Sequence, residues 1–163
     1  MNSTESLFFW STTLFLAMTF FIVLLALMFK KEHIFRYSRY SLLAAFASIT
    51  TFGILRWTVT GHPPFVTLFE SMITSIWFVL LFFIVLLYAN KKTVLLILPV
   101  SAITFLMMGW ASSLSTKASE LSAALTNIWL FIHASFATSG ASSFLIGASF
   151  SILYLMGEEK LKS

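Results

Sequence analysis

The sequence predicts an all-α membrane protein, a single transmembrane domain built as a bundle of five spanning helices. Of its 163 residues, 59% are hydrophobic and only 10% are charged, which is more apolar than a soluble domain of this length can bury. The apolar residues fall into five long runs, and a spanning helix needs about 20 such residues. Short polar or basic segments separate the runs, as expected of connections between membrane helices.

The predicted spans cover residues 7–29, 41–60, 72–89, 93–112 and 128–156. The first run is not expected to be a cleaved signal peptide, because no basic segment precedes it and lysines follow it. By the positive-inside rule, the basic residues predict an outer N-terminus and a cytoplasmic C-terminus. They lie in the first link, the third link and the tail: Lys30, Lys31, Arg36, Arg39, Lys91, Lys92, Lys160 and Lys162.

Charge and composition exclude several classes of function. The net charge of +4 does not indicate nucleic-acid binding, because the charges stand at the ends of apolar runs and the lipid bilayer is the expected partner. The chain has no cysteine, so disulfides and thiol chemistry of its own are excluded. The sequence shows no Ser-His-Asp arrangement, glycine-rich phosphate loop or HExxH segment, so hydrolase and nucleotide chemistry lack support.

The polar island at residues 56–71 is too particular to be an ordinary connector. It carries Arg56, His62, two prolines and Glu70, and charge at a membrane boundary is costly enough to mark a candidate site. Thr67 and Glu70 have the spacing of a capping box, which predicts the start of the third helix. Arg56 is expected to snorkel to the interface or to hold a carboxylate, either Glu70 or that of a ligand. A lone loop histidine such as His62 is most often solvated.

The segment at 114–125, before the fifth span, has the apolar spacing of a surface amphipathic helix. The fifth span itself carries a histidine and a row of small residues. His133 lies about 9 Å along the span from its outer end, and Trp129 shares its face. A histidine at this depth is either hydrogen-bonded within the packing or a ligand, and one histidine alone makes no zinc site but can serve haem iron. Small residues recur at every fourth position, which suits close helix packing within the bundle or docking of another subunit: Ser135, Ser139, Ser143, Gly147 and Ser151.

Two segments resemble a known family. Arg56-Trp57, Gly61-His62-Pro63 and residues 68–71 are similar to the "RW…GH.P..NLYES" segment of the CcsA/ResC-type cytochrome c assembly proteins. Residues 124–133 resemble that family's "LQS.WL..H" segment. The order and separation of the two segments also agree, and the resemblance extends over about residues 41–156. It covers the N-terminal half of the family fold and lacks the tryptophan-rich WWD segment.

The resemblance implies a haem-handling membrane subunit in cytochrome c biogenesis. His133 matches an external haem ligand of the family and is the candidate axial ligand to the iron of haem b, while Trp129, Arg56 and His62 are the other candidate haem-binding residues. The expected partners are a separate membrane polypeptide that supplies the WWD segment and a c-type apocytochrome. The chain would then be one part of a split haem lyase and not catalytic alone. A bacterial or archaeal cytoplasmic membrane is predicted in preference to a thylakoid membrane.

Two other functions stay open from the sequence. The half-fold can instead be a non-catalytic accessory subunit of a respiratory or cytochrome-containing membrane complex, docked through the small residues of the fifth span. A small transporter or channel is less favoured, because only serines and threonines are available to line a pathway at the middle of the membrane.

Overall fold

The computed structural model describes residues 1–31, 33–117 and 128–162. Their secondary structure is helical, with no strand in these ranges. The helices are α1 (Ser3–Met28), α2 (Ile34–Thr60), α3 (Leu68–Ala89), a 3₁₀ turn (Lys91–Leu96), α4 (Ile97–Ser112) and α5 (Ile128–Lys162). Five of these stretches are long and apolar enough to cross a membrane, so the predicted fold class is confirmed. Of the predicted amphipathic segment, only residues 114–117 are described, and they are not helical.

Local sequence explains where α2 and α3 begin and end. Gly61 ends α2 with φ of +73°, a left-handed conformation that costs glycine little. Six residues later Thr67 caps α3, accepting a hydrogen bond from the Glu70 amide nitrogen. The short loop of residues 61–67 therefore joins two antiparallel helices. We call the end of the bundle that carries this loop the loop end.

The first four helices form a ring, with α1 packed on α2 and α4, and α3 packed on α2 and α4. The core between them is apolar and includes Leu16, Phe52, Phe69 and Phe83. Hydroxyls join α1 to α2, where Ser41 Oγ donates to the Phe15 carbonyl oxygen at 2.9 Å. Such bonds between membrane helices stabilise by about 0.6 kcal/mol each. The ring places the N-terminus of α1, the C-terminus of α2 and the N-terminus of α3 at the loop end.

Helix α5 lies at the edge of the bundle and packs mainly on α3. Its buried face carries Ser142, Ile146 and Ser149, and Ser142 Oγ approaches the carbonyl oxygen of Ser75 on α3 at 3.2 Å. This spacing of three to four residues keeps one face of a helix on its neighbour. The contact surface of α5 is therefore small, and most of the helix stands outside the ring.

The structure corrects the interpretation of the small residues on α5 as one packing ridge. Ser135 and Ser139 are half-buried, whereas Ser143, Gly147 and Ser151 are exposed. Positions four apart advance by about 40° per step around a helix of 3.6 residues per turn, so the row winds off the bundle. The serine hydroxyls of the row bond to carbonyl oxygens of α5 itself. The exposed part of the row, Ser143, Gly147 and Ser151, therefore does not pack against this bundle. It is accessible to another subunit.

Candidate functional site

Arg56 lies at the centre of a buried charge cluster at the loop end. Its Nε donates to Glu70 Oε1 at 3.0 Å, and its Nη1 lies 3.7 Å from Glu5 Oε1. The side chains are almost fully buried, with Arg56 and Glu5 2% exposed and Glu70 fully enclosed. Burying charge is costly unless it is paired and hydrogen-bonded. The cluster therefore joins α1, α2 and α3 through a contact whose members depend on one another.

Glu70 has a second role at the start of α3. Its Oε2 accepts hydrogen bonds from the amide nitrogens of Val66 and Thr67, both at 3.2 Å. In return, Thr67 Oγ1 accepts from the Glu70 amide nitrogen at 3.1 Å. Both bonds of the capping box are thus present, and the negative charge also faces the positive end of the helix dipole. The Glu70 carboxylate therefore binds the loop through Oε2 and Arg56 through Oε1.

The cluster extends to the chain that follows α4. Arg56 Nη2 donates to the carbonyl oxygen of Thr116 at 3.0 Å, and the guanidinium carbon lies 5.9 Å from the centre of the Phe69 ring, within range of a cation–π contact. Arg56 therefore does not snorkel to the interface as expected. Contact with a ligand carboxylate does not fit this geometry, because the guanidinium already faces two carboxylates and a carbonyl. Of the two expected partners, Glu70 and a ligand carboxylate, Arg56 holds Glu70.

Sequence reasoning missed Glu5. Its Oε2 accepts from the Asn2 amide nitrogen at 2.7 Å, which is half of a capping box at the start of α1. The Asn-x-x-Glu spacing was the signal that could have found this local role. No local pattern indicates that the other oxygen of Glu5 faces Arg56, because the two residues come together only when α1 packs on α2.

We expect Thr67→Ala to lower the free energy of unfolding by about 1 kcal/mol, because an N-cap hydroxyl contributes about 0.5–2 kcal/mol. Denaturant titration in detergent, followed by circular dichroism, measures the change. Thr58→Ala is the matched control, because its exposed hydroxyl bonds only within α2. Equal stability of the two variants would contradict the cap assignment.

His62 is buried in the loop and not solvated. Its side chain is 6% exposed, and its Nδ1 lies 3.0 Å from the carbonyl oxygen of Pro63. Because a carbonyl oxygen only accepts, Nδ1 carries the hydrogen of this bond. Among the described residues Nε2 has no hydrogen-bond partner. His62 therefore has one buried ring nitrogen at the loop end that is not engaged by the described residues.

His133 and Trp129 lie one turn apart near the start of α5, and both are exposed. His133 is two positions from Phe131 and from Ser135, so it lies on nearly the opposite side of the helix from them. Phe131 makes an edge contact with Phe65 of the loop, with 5.3 Å between ring centres. The structure thus brings α5 to the loop through Phe131 and directs His133 away from this contact.

The structure unites some of the predicted site residues and not others. Arg56, Thr67 and Glu70 form one cluster, whereas His133 makes no hydrogen bond or ion pair with them within the described part of the chain. In the same part, no three histidines, cysteines or carboxylates are grouped so as to hold a metal ion. A metal at His133 would need a ligand arrangement built around a single imidazole, as in haem.

Comparison with known proteins supports the resemblance. The chain is 32% identical over 141 residues to the cytochrome c biogenesis protein CcsA of Glycine max, covering 83% of this chain and 43% of the relative. The chain is a partial match to CcsA. It is also 32% identical to the CcsA proteins of Lemna minor and Chlorella vulgaris, over 71% and 69% of its own length. No protein-family model and no solved structure matches the chain.

The CcsA matches confirm the predicted resemblance, and they also limit it. The chain spans 37–43% of the length of these CcsA relatives. They also show that the predicted bacterial or archaeal cytoplasmic membrane is wrong. These similar proteins come from plants and an alga, which points to a thylakoid or plastid membrane instead.

Proposed function

We propose that the chain is a haem-handling membrane subunit in cytochrome c biogenesis. The observation that carries the proposal is the similarity to proteins named CcsA over 69–83% of this chain. Five apolar helices suit a protein that works within a membrane. The match covers less than half of those proteins. We therefore assign the activity, substrates and partners of a complete CcsA to this chain only as a proposal.

His133 is the residue that we propose as the axial ligand of haem b. Its imidazole is exposed near the start of α5, and a neutral imidazole is a common ligand of haem iron. Trp129, one turn away on the same face, offers an aromatic surface beside the macrocycle. When bound, haem supplies the vinyl groups that accept the thiols of an apocytochrome. The chain itself would hold and orient the haem through His133 and Trp129.

Arg56 and His62 act, in this proposal, on the shape of the loop end. Arg56 positions the loop and the start of α3 through Glu70. His62 is a positioning residue in the present geometry and the alternative ligand, because its Nε2 is buried without a partner among the described residues. Use of that nitrogen by iron requires the loop to open.

We propose two protein partners, a membrane polypeptide that supplies the WWD segment and a c-type apocytochrome. The exposed side of α5 supports the membrane partner, because only 17% of the most apolar 18-residue stretch of α5 is buried. The exposed Ser143, Gly147 and Ser151 let a neighbouring helix approach closely. Together the two polypeptides would form a split haem lyase, in which this chain is not catalytic alone.

The orientation of the bundle is also part of the proposal. Lys30, Lys31 and Arg36 lie at the end of the bundle opposite the loop. The positive-inside rule then places the loop end, with His133, on the far side of the membrane from the compartment of synthesis. Insertion of a reporter after Ser115 tests this side without interrupting a helix.

A haem spectrum tests the ligand assignment. Purified in detergent with its partner, the protein is expected to show a Soret band that His133→Ala weakens or shifts. His33→Ala is the matched control, because His33 is exposed at the opposite end of the bundle, and His62→Ala tests the alternative ligand. An unchanged Soret band in His133→Ala would remove His133 from the proposal.

A different result would favour the accessory-subunit alternative. In that case the chain copurifies at fixed stoichiometry with a cytochrome-containing complex, and the complex keeps all of its haem when His133 is replaced. The enclosed Arg56 cluster and the exposed side of α5 are compatible with such a docking role. Normal cytochrome c maturation in cells that lack the chain would exclude the leading proposal and leave this alternative.

A further inference from the structure

An apolar groove runs between α2, α3 and α5 next to the loop. It encloses about 280 Å³ and is lined by Gly53 and Trp57 of α2, Trp77 of α3, Phe131 of α5 and Phe65 of the loop, among others. Phe65 and Phe131 contact each other edge to face, so the loop and α5 meet in the wall of the groove. The groove is separate from the charge cluster, whose members do not line it.

The three hydroxyl groups on the walls of the groove already donate their hydrogens to carbonyl oxygens. Thr50 Oγ1 donates to a carbonyl one turn earlier and accepts from Trp77 Nε1 at 2.9 Å. Thr74 Oγ1 donates to the Pro64 carbonyl at 2.7 Å, and Ser135 Oγ donates to a carbonyl of its own helix at 2.8 Å. These hydroxyls therefore have no hydrogen left for a ligand. An apolar occupant, which needs no hydrogen from these hydroxyls, therefore suits the groove.

The surroundings of the groove indicate the source of that occupant. Its helical walls, residues 49–57, 73–78 and 131–135, belong to three of the candidate membrane spans. We therefore expect the part of the groove that these helices form to face the hydrocarbon of the bilayer. Measured along α2, residues 49–57 extend about 12 Å at a rise of about 1.5 Å per residue. That length is enough for a run of several methylene groups of an extended acyl chain.

We propose that the groove binds one acyl chain of a membrane lipid. At about 30 Å³ for each water-sized group, its volume holds roughly nine methylene-sized groups, the inner part of one chain. Haem fits the site poorly, because His133 lies on the other side of α5 from the groove-lining Phe131 and Ser135. The inference does not depend on the proposed haem function.

Gly53 offers a direct way to fill the groove. A Cβ atom placed on it meets no atom within 4 Å, other than its own helix and chain neighbours, so a leucine side chain enters open space. The substitution also replaces glycine by a better helix former. Gly109→Leu is the matched control, because Gly109 on α4 has equally open space and does not line the groove.

The test measures quenching of Trp77 fluorescence by lipids with brominated acyl chains. It uses the full chain in vesicles of brominated phosphatidylcholine, with Trp77 as the only tryptophan and the other four changed to phenylalanine: Trp10, Trp57, Trp110 and Trp129. Gly53→Leu is expected to reduce the quenching to roughly half or less, because leucine displaces several methylene groups from the site. Gly109→Leu should leave the quenching unchanged.

Three results would overturn the proposal. The first is equal quenching in both leucine variants when circular dichroism shows equal helix content. The second is absence of quenching in the parent protein, which would mean that another protein chain covers the groove. The third is quenching by added haemin that Gly53→Leu abolishes while quenching by brominated lipid persists, which would assign the groove to haem.

Discussion

Arg56→Ala lowers the free energy of unfolding by about 3–5 kcal/mol, the cost expected when one member of a buried ion pair is removed. The loss is large because Glu70 and Glu5, 0% and 2% exposed, then share a buried space without a positive charge. Arg56→Lys recovers only part of the stability, because an ammonium group cannot reproduce the guanidinium bonds to Glu70 and the Thr116 carbonyl oxygen.

Denaturant titration in detergent measures this effect, with helix content followed by circular dichroism. Arg36→Ala is the matched control, since Arg36 is exposed at the opposite end of the bundle and its removal should change stability by less than about 0.5 kcal/mol. The double variant Arg56→Met with Glu70→Gln should be more stable than Arg56→Ala, because it removes one of the two carboxylates. A loss below about 1 kcal/mol in Arg56→Ala would contradict the buried pair.

The second large effect is expected where α5 meets α3. Ser142 is 1% exposed and its hydroxyl lies 3.2 Å from the Ser75 carbonyl oxygen, so Ser142→Leu forces a larger side chain into a close helix contact. Overpacking of this kind costs about 1–3 kcal/mol. Because α5 has few other neighbours, we expect it to separate from α3 before the ring unfolds.

A neighbouring residue provides the control for this prediction. Ser143→Leu adds the same side chain one position along, where the surface is exposed, and should leave the packing of α5 intact. Limited proteolysis of the segment before α5, compared between the two leucine variants and the parent protein, reports the separation. If Ser143→Leu were the more disruptive variant, our assignment of the face of α5 that contacts α3 would be contradicted.

The five helices could be predicted because apolar length dominates the choice in a membrane. The residues at which the helices begin and end could be predicted less well from the sequence. Helix α2 begins at Ile34, seven residues before the predicted span, because a helix continues through Arg36 and Arg39 at the membrane surface, where charge is tolerated. Hydropathy marks where a span crosses hydrocarbon, and the helix extends beyond that point.

The candidate site was predictable only where its contacts are local. The Thr67–Glu70 box could be predicted from a spacing of three residues. Glu5 meets Arg56 across 51 positions, and only the packing of α1 on α2 brings them together. The small residues of α5 failed as one packing ridge for a geometric reason, since a period of four drifts around a helix whose period is 3.6.

The two carboxylates around Arg56 have a consequence for the order of membrane insertion. Because chains emerge from the N-terminus, we expect α1 and α2 to pair before α3 has been made. Glu5 then supplies a counter-charge to Arg56 at the hairpin stage, and Glu70 arrives later with its own helix start already capped. We expect such an intermediate to avoid holding a lone guanidinium against lipid. Loss of Glu5 would expose that intermediate to quality-control proteases even where the finished bundle tolerates the change.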